Sequence, residues 1–352
     1  MIRTLRMTAA GFLAVLAVST PIVAQQSPPV LRTGAAEISV GGRVHAQFVT
    51  SSVDTVPVQE WLLRRVRLES AVKVNDFVGG KVQLDFAGNR VSVKDAYLTL
   101  DLAPALRVLA GNAHRPFGIL TQTSSNRILV AERGARIRGL SGAWEQNNLV
   151  AELGYADRDI GLQVMGAPGG APLGLFYAAA YTNGPARQPA LHEDTYQLSA
   201  RAGVHPTGST AIAVSWSRRD FARGDTTRAG VAWAVDGEIG RYGPGFHLVT
   251  ELSYGDFDPF EEAHFFGGQV WLGYRTPELG GRISSVEPVL RISHGDPDVE
   301  ERVDVAAGGT LITPGLNLNL GGQNRVMLNY DVWRGDRGQT ETSFKTQFQL
   351  AF

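Results

Sequence analysis

Polarity in this sequence alternates residue by residue through many segments of about ten residues, and that rhythm constrains the fold more than any other feature. In 79–87, Val82, Leu84 and Phe86 alternate with Lys81, Gln83 and Asp85. Ile212, Val214 and Trp216 alternate with Ser215, Ser217 and Arg219. Phe246, Leu248, Leu252 and Tyr254 alternate with His247, Glu251 and Ser253. Val326, Leu328, Tyr330 and Val332 alternate with Arg325, Asn329 and Asp331. In the last segment, Phe344, Phe348, Leu350 and Phe352 alternate with Ser343, Lys345, Gln347 and Gln349, broken only by Thr346. Strand side chains point to opposite faces with period two, so each segment is a strand with one apolar and one polar face. Beyond its first residues the chain has no apolar run of the ~18 residues a transmembrane helix needs. A closed sheet is the other structure that pairs every backbone group inside lipid. A soluble β-sandwich alternates too, so the rhythm alone leaves both folds open.

Three further features favour the membrane. Arg3 and Arg6 precede a short apolar run at 7–18, and residues 19–24 end in Ala24 before Gln25 and Gln26. That order reads as a secretory signal cleaved after Ala24, with an uncleaved anchor as the other reading. Aromatics such as Trp61, Tyr97, Trp144, Tyr155, Tyr181, Trp216, Trp233, Tyr254, Trp271, Tyr274 and Trp333 fall near strand ends, where an interfacial girdle needs them. The last segment ends on Phe352, which resembles the terminal aromatic that barrels present to the outer-membrane assembly machinery.

The expected fold is therefore all-β. A transmembrane antiparallel β-barrel occupies 37–352, after a signal peptide at 1–24 and a short lead-in at 25–36. Its place is the outer membrane of a Gram-negative bacterium, among lipid and lipopolysaccharide. Turn signals mark eighteen segments, including 136–146, 148–156 and 160–167. The last two are the weakest, and removing one hairpin leaves sixteen strands. Both counts are even and leave room for an aqueous lumen.

Charge narrows the function. Removing Arg3 and Arg6 from the 33 basic residues leaves 31 against 34 acidic ones, which excludes the basic excess of a nucleic-acid binder. Only Lys73, Lys81, Lys94 and Lys345 are lysine; the remaining cations are arginine, whose planar fork suits oxyanions. The chain has no cysteine, which excludes disulfides and thiolate chemistry. The seven histidines are scattered, and neither HExxH nor GxSxG occurs. No cofactor or dedicated metal site is expected. Clustered acids at Asp256, Asp258, Glu261 and Glu262, and at Asp296, Asp298, Glu300 and Glu301, read as solvated loops without calcium-loop spacing.

The longest break in the alternation is 114–135, HRPFGILTQTSSNRILVAERGA. A stretch this long without regular structure is usually functional. Its apolar Ile128, Leu129 and Val130 favour packing inside the barrel over an ordinary surface loop.

Around this break the sequence resembles the phosphate-selective porin O/P family. The resemblance is carried by Leu63-Arg64-Arg65-Val66-Arg67-Leu68, Asp95-Ala96-Tyr97-Leu98 and Gly111-Asn112-Ala113-His114-Arg115-Pro116-Phe117-Gly118. Thr123-Ser124-Ser125, Glu132-Arg133, Arg138-Gly139-Leu140, Arg158-Asp159-Ile160-Gly161 and Tyr181-Thr182-Asn183-Gly184 follow in order. The match is best over roughly 39–184. It implies a homotrimer of 16-stranded barrels that pass small anions, with an arginine ladder in the pore and lysines near its mouths. The scarcity of lysine departs from that pattern.

Alternation turns Arg65, Arg67, Glu69 and Lys73 to the lumen and leaves Arg64 on the lipid side near its strand end. Lys81 shares the lumen face of its segment. Arg115, Arg127 and Arg133 belong to the inserted stretch, and Arg136 and Arg138 alternate with Ile137 on the segment after it. A cationic ring in a narrow pore favours anions. The other reading is that Glu69, Asp85, Asp95 and Glu132 pair with these arginines and brace the loop. The expected function is an outer-membrane channel for small anions such as phosphate, lined by Arg65, Arg67, Lys81, Arg115, Arg127, Arg133, Arg136 and Arg138. A general porin, a plugged structural barrel, and a barrel enzyme using His247 and Glu251 are the alternatives.

Overall fold

The computed structural model describes residues 30–32, 36–53, 58–138, 143–169, 171–184, 196–240, 243–303 and 308–352. The signal-like segment 1–24 and most of the lead-in lie outside the described residues. A three-residue strand, β1 (Val30–Arg32), pairs with the start of the first long strand. Sixteen long strands follow among the described residues. They are β2 (Glu37–Ser52), β3 (Val58–Lys73), β4 (Val78–Asp85), β5 (Ser92–Ala103), β6 (Leu106–His114), β7 (Arg158–Gly166), β8 (Phe176–Thr182) and β9 (Gln197–Thr207). Then come β10 (Thr210–Arg223), β11 (Thr226–Ile239), β12 (Gly245–Asp258), β13 (Ala263–Arg275), β14 (Ser285–Asp296), β15 (Gly309–Gly321), β16 (Asn324–Gly335) and β17 (Thr340–Ala351). Each pairs antiparallel with its successor, and β17 pairs with β2 around Gln347 and Gln47, so the sheet closes on itself.

The alternation read in the sequence is the inside and outside of this tube. Exposed side chains on the strands are apolar: Trp61, Leu68, Val82, Leu98, Ile160, Val214, Leu252, Phe348 and others. Buried ones are largely polar: Gln47, Gln83, Gln163, Ser215, Glu251, Asn317 and Lys345. A water-soluble protein would show the reverse, so the outer face matches lipid. Trp61, Tyr181, Trp233, Tyr254 and Tyr274 are exposed on that face. Tyr155, Trp271 and Trp333 are not part of a girdle: they are buried inside, where apolar residues of the inserted loop cover them.

Segments 136–146 and 148–156 are not strands, which is why the count is sixteen rather than eighteen. Residues 136–138 and 143–145 carry no strand, apart from an isolated bridge between Trp144 and Gly308. Gln146–Glu152 form a helix, α1, whose N-cap Glu145 accepts from the backbone of Asn147 and Asn148. Ile137 and Ala143 pack under Leu311 and Trp333, and Leu149 and Val150 pack with Phe265 and Ala232. Apolar residues that plug onto the inner wall imitate the spacing of lipid-facing ones. The weak segment 160–167 is a real strand, β7.

Residues 115–157 thus form one long connection between β6 and β7. Leu120, Ile128, Leu129 and Val130 pack on Val249, Trp271 and Val289 of the inner wall. Wall side chains bond several backbone groups of the connection, as buried peptide groups require. Glu251 accepts from the amides of Ile119 (2.6 Å) and Leu120 (3.0 Å). Arg325 donates to the carbonyls of Asn126 (3.0 Å) and Ile128 (2.7 Å), and Arg291 to that of Glu132 (2.7 Å). Asn317 donates to the Leu129 carbonyl (2.9 Å), and the Asn329 side chain accepts from the Ala131 amide (2.6 Å).

Two β-bulges change which residues face inward. In β3, His45 pairs with Arg65 and Ala46 with Leu63, so Arg64 is an extra residue. In β5, Gln83 pairs with Asp95 and Leu84 with Val93, so Lys94 is extra. A bulge places two consecutive residues opposite one and shifts the phase of alternation. Arg64 consequently does not reach to the lipid interface: it binds Glu132 of the inserted connection at 2.5 Å and 3.1 Å.

Two outcomes follow from this packing. Leu252, mid-strand on the lipid face, replaced by arginine should cost about 2–4 kcal/mol if it sits near the bilayer midplane. Equilibrium unfolding of lipid-reconstituted protein measures that cost, and a neutral result would contradict the lipid-facing assignment. Glu132 lies on the inserted connection, not on a spanning strand. Burial acts to raise its carboxyl, but Arg64 and Arg65 outweigh burial and hold it well below the usual glutamate range. Its stabilising effect is complete above the unfolded value of about 4.3 and is lost as pH falls through the lowered folded value. Stability should be insensitive to this group above about pH 5, and Glu132→Gln should cost about 3–5 kcal/mol at neutral pH by stranding buried arginines. Urea titrations across pH, with and without the substitution, read both effects.

Candidate functional site

The lumen narrows where the 115–157 connection folds into it. On one side stands the wall of β3 to β7, built from charged side chains whose order follows from the alternation and the two bulges. Arg67 pairs with Asp85 at 2.8 Å. Lys81 lies 3.1 Å from Glu69 and 3.6 Å from Asp95, and Asp95 also receives Arg158 at 2.6 Å. Arg43 joins Glu69 at 3.0 Å and bonds Ser124 and Ser125 of the connection. Glu69 and Lys81 keep 29% and 27% of their side-chain surface accessible, so this wall still meets the lumen solvent.

On the other side stands the connection itself. The eight cations singled out in the sequence divide into three kinds of environment. Arg65, Arg115 and Arg133 hold structure together. Arg65 is buried between Glu132 (3.2 Å) and His45 (3.3 Å). Arg115 is buried against Gln197, the Ala156 carbonyl and Asp159. Arg133 donates to the carbonyls of Leu120 (2.8 Å) and Thr123. Arg67, Lys81 and Arg138 sit in ion pairs; Arg138 binds Glu60 at 2.5 Å, near the outer rim. Arg127 and Arg136 are exposed, and their side chains have no hydrogen-bond or ion-pair partner among the described residues. Arg136 and Arg138 belong to the inserted connection rather than to a strand, because the strand expected there does not form.

Guanidiniums face one another across the gap. Arg133 faces the field of Arg67 and Arg158 from the opposite wall. Burial first, and then repulsion by those two guanidiniums, lower its pKa to about 10, still charged at neutral pH. A charge held against like charges is relieved by an anion between them. Lys94 adds to this field, with Arg67, Asp85, Asp157 and Arg158 as charged neighbours. The sequence reading put Arg64 on the lipid side and gave Lys94 no face. The signal that exposes both is two adjacent charged residues inside a spanning strand, Arg64-Arg65 and Lys94-Asp95. Only a bulge brings such a pair to one face.

Below the constriction, toward the rim that carries both ends of the barrel, lies a cavity of about 800 Å³. Arg127 lines it together with Arg201, Arg275 and Arg325. These last three are wall residues that the sequence reading did not single out. Their position on the inward parity of β9, β13 and β16 was legible, but their convergence was not.

The residues proposed for a catalytic dyad do different work. His247 lies 3.0 Å from Glu287 and contacts the Gly243 carbonyl, while Glu251 receives the amides of the connection. Among the described residues no group of histidine and carboxylates has the arrangement of a metal site.

Comparison with known proteins agrees with this geometry. No curated protein matches the sequence. Among solved structures, an anion-selective porin from Comamonas acidovorans superposes with a TM-score of 0.65 at 12% identity, covering 90% of this chain and 100% of that one. OmpF of Salmonella typhi, solved in complex with daunomycin, gives 0.63 at 12% identity, covering 92% and 100%. OmpT of Vibrio cholerae in a trimer form gives 0.53 at 13% identity, covering 90% and 100%. These likenesses, at 12–13% identity, concern the fold alone, that of an outer-membrane porin. The sequence pattern described as phosphate-selective porin O and P matches residues 38–242, more than half of the chain. The protein belongs to the phosphate-selective porin O and P family.

Proposed function

We propose that this outer-membrane porin passes small anions, phosphate among them, through a lumen whose preference is set by the cations of the inserted connection and the facing wall. Arg127 and Arg136 supply charge without a partner among the described residues, and Arg67, Lys81, Lys94 and Arg133 supply charge that nearby carboxylates or carbonyls only partly offset. The observation that carries the reading is the exposure of Arg127 and Arg136 without protein partners on a segment inserted into the lumen. Side chains that only braced the loop would be paired, as Arg65 and Arg115 are. Exposed cations in a confined channel raise the local concentration of anions. The pore needs no chemical step and no cofactor. The trimer form of a structural relative supports a homotrimer. The apolar outer belt supports direct contact with outer-membrane lipid and lipopolysaccharide, and with the assembly machinery that inserts such barrels.

Planar-bilayer recording under a potassium chloride gradient tests this. The reversal potential should show chloride preferred over potassium. The double variant Arg127→Glu/Arg136→Glu should reduce that permeability ratio by about tenfold with conductance retained. A cation-preferring wild type, or an unchanged ratio in the variant, contradicts the assignment. Preference should also weaken as salt rises from 0.01 M to 1 M, because the screening length shortens from about 30 Å to about 3 Å.

A further inference from the structure

The cavity beside Arg127 is more than a cationic antechamber. Part of its lining is apolar: Ile119 of the inserted connection, Phe176 of β8 and Ala211 of β10. The Phe176 ring is held in a set position. Its partner across the strands is Gly203, where an added Cβ would stand 2.5 Å from the ring's Cζ. The missing side chain at 203 is therefore the space the ring occupies. Arg201 lies 5.2 Å from the ring centroid and is oriented by Asp236 (3.1 Å), and His205 packs at 4.9 Å. The ring is half-buried, so part of it meets the chamber. Arg127 lines the same chamber, exposed and with no hydrogen-bond or ion-pair partner among the described residues.

A small inorganic oxyanion gains nothing from an aromatic ring and an isoleucine. A cavity of this size that combines apolar walls with a few polar groups suits an organic solute. We infer that this chamber is a binding site for aromatic carboxylates, with the carboxylate on Arg127 and the ring of the solute against Phe176 and Ile119. Guanidinium presents a fork matched to carboxylate, and ring pairs add specificity beyond area alone. The inference rests on the reading that the lumen conducts anions, and it names a class of solute for its inner end.

The test is block of chloride current through the reconstituted full-length porin by benzoate, acetate and benzyl alcohol. These probes separate charge from ring. Benzoate should halve the current at a concentration about tenfold lower than acetate, a difference of ~1.4 kcal/mol. Benzyl alcohol should be the weaker blocker as well. Phe176→Ser should bring benzoate to the level of acetate without changing acetate, and Arg127→Ala should weaken both anions. Phe176→Leu keeps apolar volume without the ring, so it gives the same reading if the serine variant does not fold. Equal block by benzoate and acetate in the wild type overturns the inference, as does benzoate block that persists in both Phe176 variants. A channel that prefers potassium yet is blocked selectively by benzoate overturns the anion-porin reading and supports the chamber. A chloride-preferring channel on which benzoate and acetate act alike does the opposite.

Discussion

Closure of the backbone hydrogen-bond ring is the constraint on which the rest of this molecule depends. Lipid offers no partner to a peptide group, so each strand must be paired on both edges. The β17–β2 pairing removes the last two edges. Once the ring is closed, polarity is forced to invert: apolar side chains face outward and polar ones inward. The buried interior of this protein is therefore a lining of glutamine, serine, asparagine and charge, with hydrophobic clusters only where the inserted connection meets the wall.

That inverted interior explains why the connection is inside. Residues 115–157 carry many peptide groups, and the wall carries many side chains able to bond them. Arg291, Arg325, Glu251, Asn317 and Asn329 are inward residues of strands, and each binds backbone of the connection. Glu132 is the reciprocal case, a loop side chain held by two strand arginines. Arginine thus has two roles in one lumen. Where acceptors are within reach it braces. Where none is, as at Arg127 and Arg136, the guanidinium stays exposed. The same residue type is paired at some positions of the connection and exposed at others, and the division is made by local geometry.

Much of the fold could be read beforehand, for a reason visible at particular residues. Lys81, Gln83 and Asp85 alternate with Val82, Leu84 and Phe86 because a spanning strand has two solvents, and the sequence must satisfy both. The reading failed where a third environment exists. Ile137, Leu149 and Val150 face neither lipid nor water but the inner wall, and their spacing was mistaken for strand. Trp271 and Trp333 deceived in the same way, since an aromatic under the loop and one in the girdle look alike in one dimension. Arg64 was misplaced by a bulge, which shifts the phase without leaving a turn signal.

The sequence by itself determined the closed, inside-out sheet, the even strand number within one hairpin, and the presence of a long insertion rich in arginine. These are local properties, set by period-two patterning and the dielectric on each face. Which arginines are neutralised, and that Arg127, Arg201 and Phe176 share one chamber, was decided only in three dimensions. Those residues lie on separate elements, and partners brought together by strand register and loop docking leave no trace in their sequence spacing.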